Sequence, residues 1–295
     1  MEFRGLEIIR DRHDHPIYTK TPGQDALVDA IDNNDIIFVN GPSGTGKTAI
    51  ATWLGIDGID HNEYEHLILT RPVVTSGEEL GFLPGTLDEK IAPYMQPLYD
   101  AISLVKGRRK SQEEMVQEMP VLTAKEKKKL RQEAKDRKLA GTNNDFYEKV
   151  QVCPLAYIRG STLAKSYIVC DEFQNTTIMQ MKTMITRLGK DSKMIICGDP
   201  NQCDLPERVQ SGFIHAQTLL AGVPRVAIVT LGVDDIVRHR MMKEIILRYE
   251  VPNYVPNSGV MPAQTELYPT HNIPSHTWKY DKDGYDFDPV DDDED

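Results

Sequence analysis

Near-continuous apolar runs recur along the chain at Ile36–Val39, His66–Leu69, Tyr167–Cys170, Lys193–Cys197 and Arg225–Val229. None shows the in–out alternation of a half-solvated strand, so each reads as a strand covered on both faces. Segments of helical character lie between them. One starts at Gly46 and runs to about Leu54, another spans about Thr176 to Leu188, and a third about Ile236 to Tyr249. Alternating strands and helices predict an α/β fold: a parallel sheet, right-handed crossovers, helices on both faces. This core is expected to occupy residues 21–250, after an N-terminal extension of residues 1–20. Residues 106–144 are helix-prone but poor in apolar positions, which predicts a basic helical insertion lying outside the core. Residues 251–295 hold six of the 18 prolines and an acidic end, and are expected to be an extended tail.

Charge sharpens the picture. The 295 residues carry a formal net charge of −11, but unevenly. Twelve basic residues face six acidic ones between Lys106 and Lys138, whereas Asp281–Asp295 holds nine acids and one lysine. An acidic whole therefore does not exclude a nucleic-acid surface, because the local field governs counterion release. Cys153, Cys170, Cys197 and Cys203 show no CxxC or Cys/His spacing, and read as reduced, mostly buried thiols of a cytoplasmic protein. No apolar run approaches the roughly 18 residues of a membrane span, and the first ten residues lack a signal-peptide core.

The chemistry concentrates after three strands. Gly41-Pro-Ser-Gly-Thr-Gly-Lys-Thr48 satisfies G-x-x-x-x-G-K-[ST] between a strand and a helix. In this pattern the backbone N–H groups of Gly41, Pro42, Ser43, Gly44, Thr45 and Gly46, proline excepted, curl toward phosphate oxygens. Lys47 adds a point charge, the helix start adds its dipole, and Thr48 offers a hydroxyl to Mg²⁺. Asp171 and Glu172 follow the strand Tyr167–Cys170. There an aspartate can hold a metal hydration shell, and a glutamate can orient or deprotonate the attacking water. Gln202, in Gly198-Asp-Pro-Asn-Gln202, follows the next strand and can report the γ-phosphate. Without a ligand, the first motif is a glycine-rich turn, the second a surface acidic pair and the third an ordinary turn.

Together these motifs resemble the superfamily-1 helicase set, and specifically the PhoH family of P-loop ATPases. The resemblance rests on Thr21-Pro-Gly-Gln24, the phosphate loop, Leu69-Thr-Arg-Pro72, Gly81-Phe-Leu-Pro-Gly85 and Pro154–Leu163. It continues through Asp171-Glu-Phe-Gln-Asn175, Gly198–Gln202 and Asp235-Ile-Val-Arg-His239. It implies a RecA-like fold, ATP and Mg²⁺ as ligands, and adenine reading by Gln24. It implies an arginine at the γ-phosphate at Arg238, otherwise a solvated helix arginine. Arg187 is either an arginine finger or a helix C-terminal cation. Phe173 departs from the family's usual alanine, and residues 106–144 from its usual shorter link. One phosphate loop and some 45 residues after Glu250 lead us to expect that a neighbouring copy completes the site. The resemblance favours a hexameric ring.

Three uses of the ATP fit this reading. The first is a motor on RNA or single-stranded DNA, with strand contacts near Thr70, Arg71 and Pro72. The second is an ATPase that remodels protein complexes or acts as a nucleotide-dependent assembly switch. The third, a small-molecule kinase, is disfavoured by the separate sensor strand.

Overall fold

The computed structural model describes residues 3–73, 87–107, 145–158, 160, 162–206, 208–238, 241, 243 and 245. The expected basic insertion at 106–144 and the tail at 251–295 fall almost wholly outside these residues, as does most of the helix expected at 236–249. The chain divides into a compact unit, Met1–Lys243, and a remainder, Glu244–Asp295. The main sheet and the helices that cover it lie in the first.

Strands β1 (Glu7–Arg10) and β2 (Pro16–Tyr18) form an antiparallel hairpin. Helix α1 (Pro22–Asn33) leads to β3 (Ile36–Asn40), α2 (Lys47–Asp60), β4 (His66–Arg71) and α3 (Leu87–Lys106). Then come α4 (Asp145–Lys149), β5 (Val150–Pro154), β6 (Ser166–Cys170), α5 (Ile178–Ile185), β7 (Lys193–Gly198), α6 (Gly212–Leu220) and β8 (Val226–Thr230). Six strands make one sheet in the order β5-β4-β6-β7-β3-β8, all parallel. The predicted α/β class and parallel sheet are thus present, in the RecA-like P-loop arrangement.

Alternate strand positions feed two separate cores. Ile37, Val39, Leu67, Leu69, Tyr167, Val169 and Ile195 pack with α1, α2 and α3, and Phe38, Ile68, Ile168, Cys170, Met194 and Ile196 pack with α5 and α6. Period-two alternation sends successive side chains to opposite faces, so a run that is apolar throughout needs both faces covered. Local chemistry sets the helix starts. Thr21 caps α1 by accepting the Gln24 N–H, with Pro22 opening the helix. Thr177 and Gln180 form a reciprocal capping box on α5.

The N-terminal extension expected at residues 1–20 packs onto the core. Ile8 and Ile9 of β1 are buried in the first core. Their short apolar pair was too brief to stand out as a strand. Phe173, the departure from the family pattern, is fully buried in the second core. Three cysteines are buried and Cys203 is intermediate, and all four are free. Burial pushes the Cys153 thiol up to about 12. Among the described residues, no helix is long and apolar enough to cross a membrane.

Candidate nucleotide-binding site

The strand register decides where the site lies. Asn40 pairs with Gly198, and Thr70 pairs with Cys170. The carboxyl ends of β3, β7, β6 and β4 therefore finish side by side. Chain order reverses about β3, whose crossover leads past β7 and β6 to β4 while β8 lies on its other side, and such a switch point opens a crevice. A cleft of about 560 Å³ occupies it, bordered by Lys47, Thr48, Asp171, Glu172, Gln202 and Arg238.

The phosphate loop forms one wall. Gly46 caps α2 with φ 87°, and Gly44 has φ 89°. The positive φ at Gly44 favours glycine, and a Cβ there would displace the exposed Arg238 side chain, whose Nε would stand 2.6 Å away. Lys47 donates to the carbonyls of Gly41 (2.5 Å) and Pro42 (2.9 Å), which keeps its ammonium folded over the loop. Ser43, Gly44 and Gly46 border the cleft with Lys47 and Thr48, whereas Gly41, Pro42 and Thr45 do not. The Thr45 hydroxyl is turned inward, donating to the Pro42 carbonyl at 2.9 Å.

Gln24, expected to read adenine, is packed against the phosphate loop. It is 4% exposed, and its amide donates to the Thr45 carbonyl at 2.9 Å while accepting the Lys20 N–H at 2.7 Å. Gln24 thus braces the phosphate loop, with one amide N–H and one oxygen lone pair engaged by protein. Arg238 is brought to the cleft, 3.3 Å from the Ser43 hydroxyl, and it is not helical. Asp235 holds that segment in place by accepting from the Thr21 hydroxyl (2.5 Å) and the Gly232 N–H (2.8 Å). Two motifs 214 residues apart thus meet beside the loop. Arg187 is not brought to the cleft. It follows the end of α5, where its carbonyl accepts the Leu163 N–H near the amino ends of β6 and β7. Within one chain that is the wrong end of the sheet for a phosphate contact.

The opposite wall comes from β6, β7 and β4. Thr48 donates to Asp171 at 2.5 Å, linking the two walls. Asp171 is 6% exposed. Burial pushes its carboxyl up and Glu172 adds to this, against the Thr48 hydrogen bond and the charges of Arg71 and Lys47. Glu172 takes a left-handed backbone, φ 54°. Its carboxylate accepts from the Gln174 amide at 2.5 Å and lies 3.7 Å from Arg71, which is also 3.8 Å from Asp171.

Gln174, 1% exposed, ties this wall together. Its amide also donates to the Gln202 carbonyl (3.1 Å), and its oxygen accepts the Asp199 N–H (3.1 Å). Gln202 itself is exposed at the cleft. Sequence reasoning did not single out Gln174 or Asp199, although both sit inside the motifs it quoted. It assigned Arg71 to strand contact and not to the carboxylates.

Thr48 and Asp171 form an all-oxygen donor pair that suits a small hard cation such as Mg²⁺. One carboxylate oxygen of Asp199, buried on the same cleft, has no hydrogen-bond partner among the described residues. The residues present therefore fit a hydrated divalent ion beside the phosphate loop.

Known proteins place the chain. The PhoH-like protein family model matches residues 16–250. A PhoH-like protein of Bacillus subtilis is 39% identical over 247 residues, 84% of this chain and 68% of its own length. One from Mycobacterium tuberculosis is 42% identical, covering 83% of this chain and 62% of its own. Protein PhoH of Escherichia coli is 33% identical, covering 84% and 64%. The chain thus spans about two thirds of the length of these relatives. A phosphate loop set against strand-end carboxylates, with a family match over most of the sequence, makes this chain a P-loop NTPase of the PhoH family.

Proposed function

We propose that the chain hydrolyses ATP with Mg²⁺, and that it works as an oligomeric motor on RNA or single-stranded DNA. One observation carries the reading: Lys47, Thr48, Asp171, Glu172 and Gln202 border a single cleft at the ends of adjacent parallel strands. Loop amides and Lys47 hold the β- and γ-phosphates, and Arg238 approaches from beside Ser43. Glu172 accepts a proton from the water whose oxygen attacks the γ-phosphorus, and the bond to the β–γ bridging oxygen breaks. Thr48 and Asp171 would hold Mg²⁺, which would neutralise charge on the phosphate oxygens. Gln202 senses the γ-phosphate, and through Gln174 its backbone is joined to Glu172.

The nucleic-acid part is supported by the net +6 of residues 106–138 and by the motif order. The ring, a hexamer, rests on the family resemblance. In this reading residues 21–250 are the ATPase core, with residues 106–144 inserted and 251–295 appended. The test is ATP turnover with and without poly(U) or oligo(dT), alongside sedimentation. Stimulation that falls steeply with salt supports the motor. A fully active monomer at nanomolar protein contradicts completion by a neighbour.

A second reading, remodelling of protein complexes, is favoured by the outer face of α5 and α6. Met179 and Leu219 are exposed there, beside an apolar groove of about 400 Å³.

A further inference from the structure

We propose that Arg71 is a positioning residue that restrains Glu172, and that a phosphate of a polynucleotide backbone relieves the restraint by taking over its guanidinium. The inference rests on the motor reading above and adds a residue through which the polymer acts.

The argument starts from the carboxylate. One oxygen of Glu172 faces Arg71 at 3.7 Å, and the other accepts from Gln174 at 2.5 Å. A general base needs a lone pair aimed at the water it deprotonates. The left-handed backbone at Glu172 fixes the direction in which the side chain leaves the chain, so only side-chain rotation can free that lone pair. The Gln174 contact belongs to the buried network that joins Glu172 to the Gln202 loop. Arg71 is the partner that can leave, because its side chain is 23% exposed.

Arg71 enters the cleft from the wall that faces the phosphate loop, beside the carboxylates. It ends β4, which is separated from β3 by β6 and β7. The loop side already has Lys47 and Arg238. What Arg71 does face is solvent at the cleft mouth. Helix α3, whose Pro97, Ala101 and Leu104 border the same cleft, ends at Lys106, where the sequence's basic run begins. A polyanion that reaches this mouth meets a guanidinium shared at 3.7 and 3.8 Å by two carboxylates. A phosphodiester offers the same fork a bidentate partner. Its transfer leaves Glu172 able to turn toward the water.

The test compares full-length wild type, Arg71→Ala and Arg71→Lys. It measures turnover with and without poly(U) and oligo(dT), affinity for a fluorescent ATP analogue, and polynucleotide affinity by anisotropy. Thermal melts verify folding. Loss of a partly exposed ion pair predicts that Arg71→Ala raises unstimulated turnover roughly three- to fivefold. Its stimulation ratio should fall toward one, its polynucleotide affinity should weaken, and its nucleotide affinity should stay within about twofold, as for a group off the triphosphate. Arg71→Lys should lie between, since an ammonium lacks the fork. A drop in unstimulated turnover or in nucleotide affinity for both variants overturns the proposal, because the guanidinium would then serve the triphosphate. Equal stimulation of wild type and Arg71→Ala also overturns it, while the motor reading stands. If neither polymer stimulates wild type at low salt, the motor reading falls and takes the relief step with it.

Discussion

The two walls of the cleft are built by different means. The phosphate-loop wall is mostly backbone: Gly44 and Gly46 at positive φ, a helix start, and Lys47 and Thr45 both folded onto loop carbonyls. The facing wall is a side-chain network in which Gln174 joins Glu172, Asp199 and Gln202. A backbone cradle tolerates little change, yet it can be read from a short pattern. A side-chain network forms only when distant turns meet, and its parts can be removed one at a time.

The largest effects should come from the groups nearest the phosphates. Lys47→Ala should lower turnover on the order of 10³-fold and weaken nucleotide binding with it, since its charge acts on bound and reacting phosphates alike. Glu172→Gln should lower turnover by roughly 10²–10⁴ while nucleotide affinity holds. If both variants lose affinity equally, the two walls do not divide binding from chemistry.

Next comes the brace. Gln174→Ala leaves the buried Asp199 N–H without its partner, which should cost roughly 1–3 kcal/mol of stability. Turnover should fall about tenfold by loosening Glu172, with nucleotide affinity near wild type. Denaturant melts together with kcat and KM resolve the two effects. A loss confined to stability would reduce Gln174 to scaffolding.

Asp171→Asn tests the cost of the link between the walls. Burial raises the folded-state pKa of Asp171 above its ordinary 3.8, so the folded chain holds this proton more tightly than the unfolded one. Stability is therefore lost as pH rises from 3.8 through the raised value, and the full penalty is present at neutral pH. Asp171→Asn should be inactive yet melt higher at pH 7, by roughly 0.5–2 kcal/mol. The advantage should shrink on acidification. A variant less stable than wild type at pH 7 would reverse the sign.

The smallest effect belongs to Thr45→Val, which removes one hydroxyl bond inside the loop. It should cost about 1 kcal/mol of stability and leave nucleotide affinity nearly unchanged, as measured by melts and titration. A large loss of affinity would place the Thr45 side chain at the ligand.

This contrast also explains what was legible in the sequence. The strands at Ile36, His66, Tyr167 and Lys193 showed themselves because sheet burial on both faces demands unbroken apolar runs. Lys47, Thr48, Asp171 and Glu172 showed themselves because each follows a strand in a fixed local pattern. Strand β5 did not, since Gln151 interrupts it and Pro154 ends it. Hairpin β1–β2 has too few apolar positions to stand out. The roles of Gln24 and Arg71 depend on which way a side chain turns among neighbours from other elements. Gln24 finds Thr45 and Arg71 finds two carboxylates, and neither partner is adjacent in sequence. Arg187 lies away from its own chain's cleft for a topological reason: α5 runs back to the amino end of the sheet before β7 begins.

The most direct test of the shared cleft is single-turnover hydrolysis of radiolabelled ATP, with Mg²⁺, by Glu172→Gln after its binding of the nucleotide has been measured. Two cooperating walls predict near-wild-type binding and phosphate release slowed at least about 100-fold. Release at the wild-type rate would contradict them.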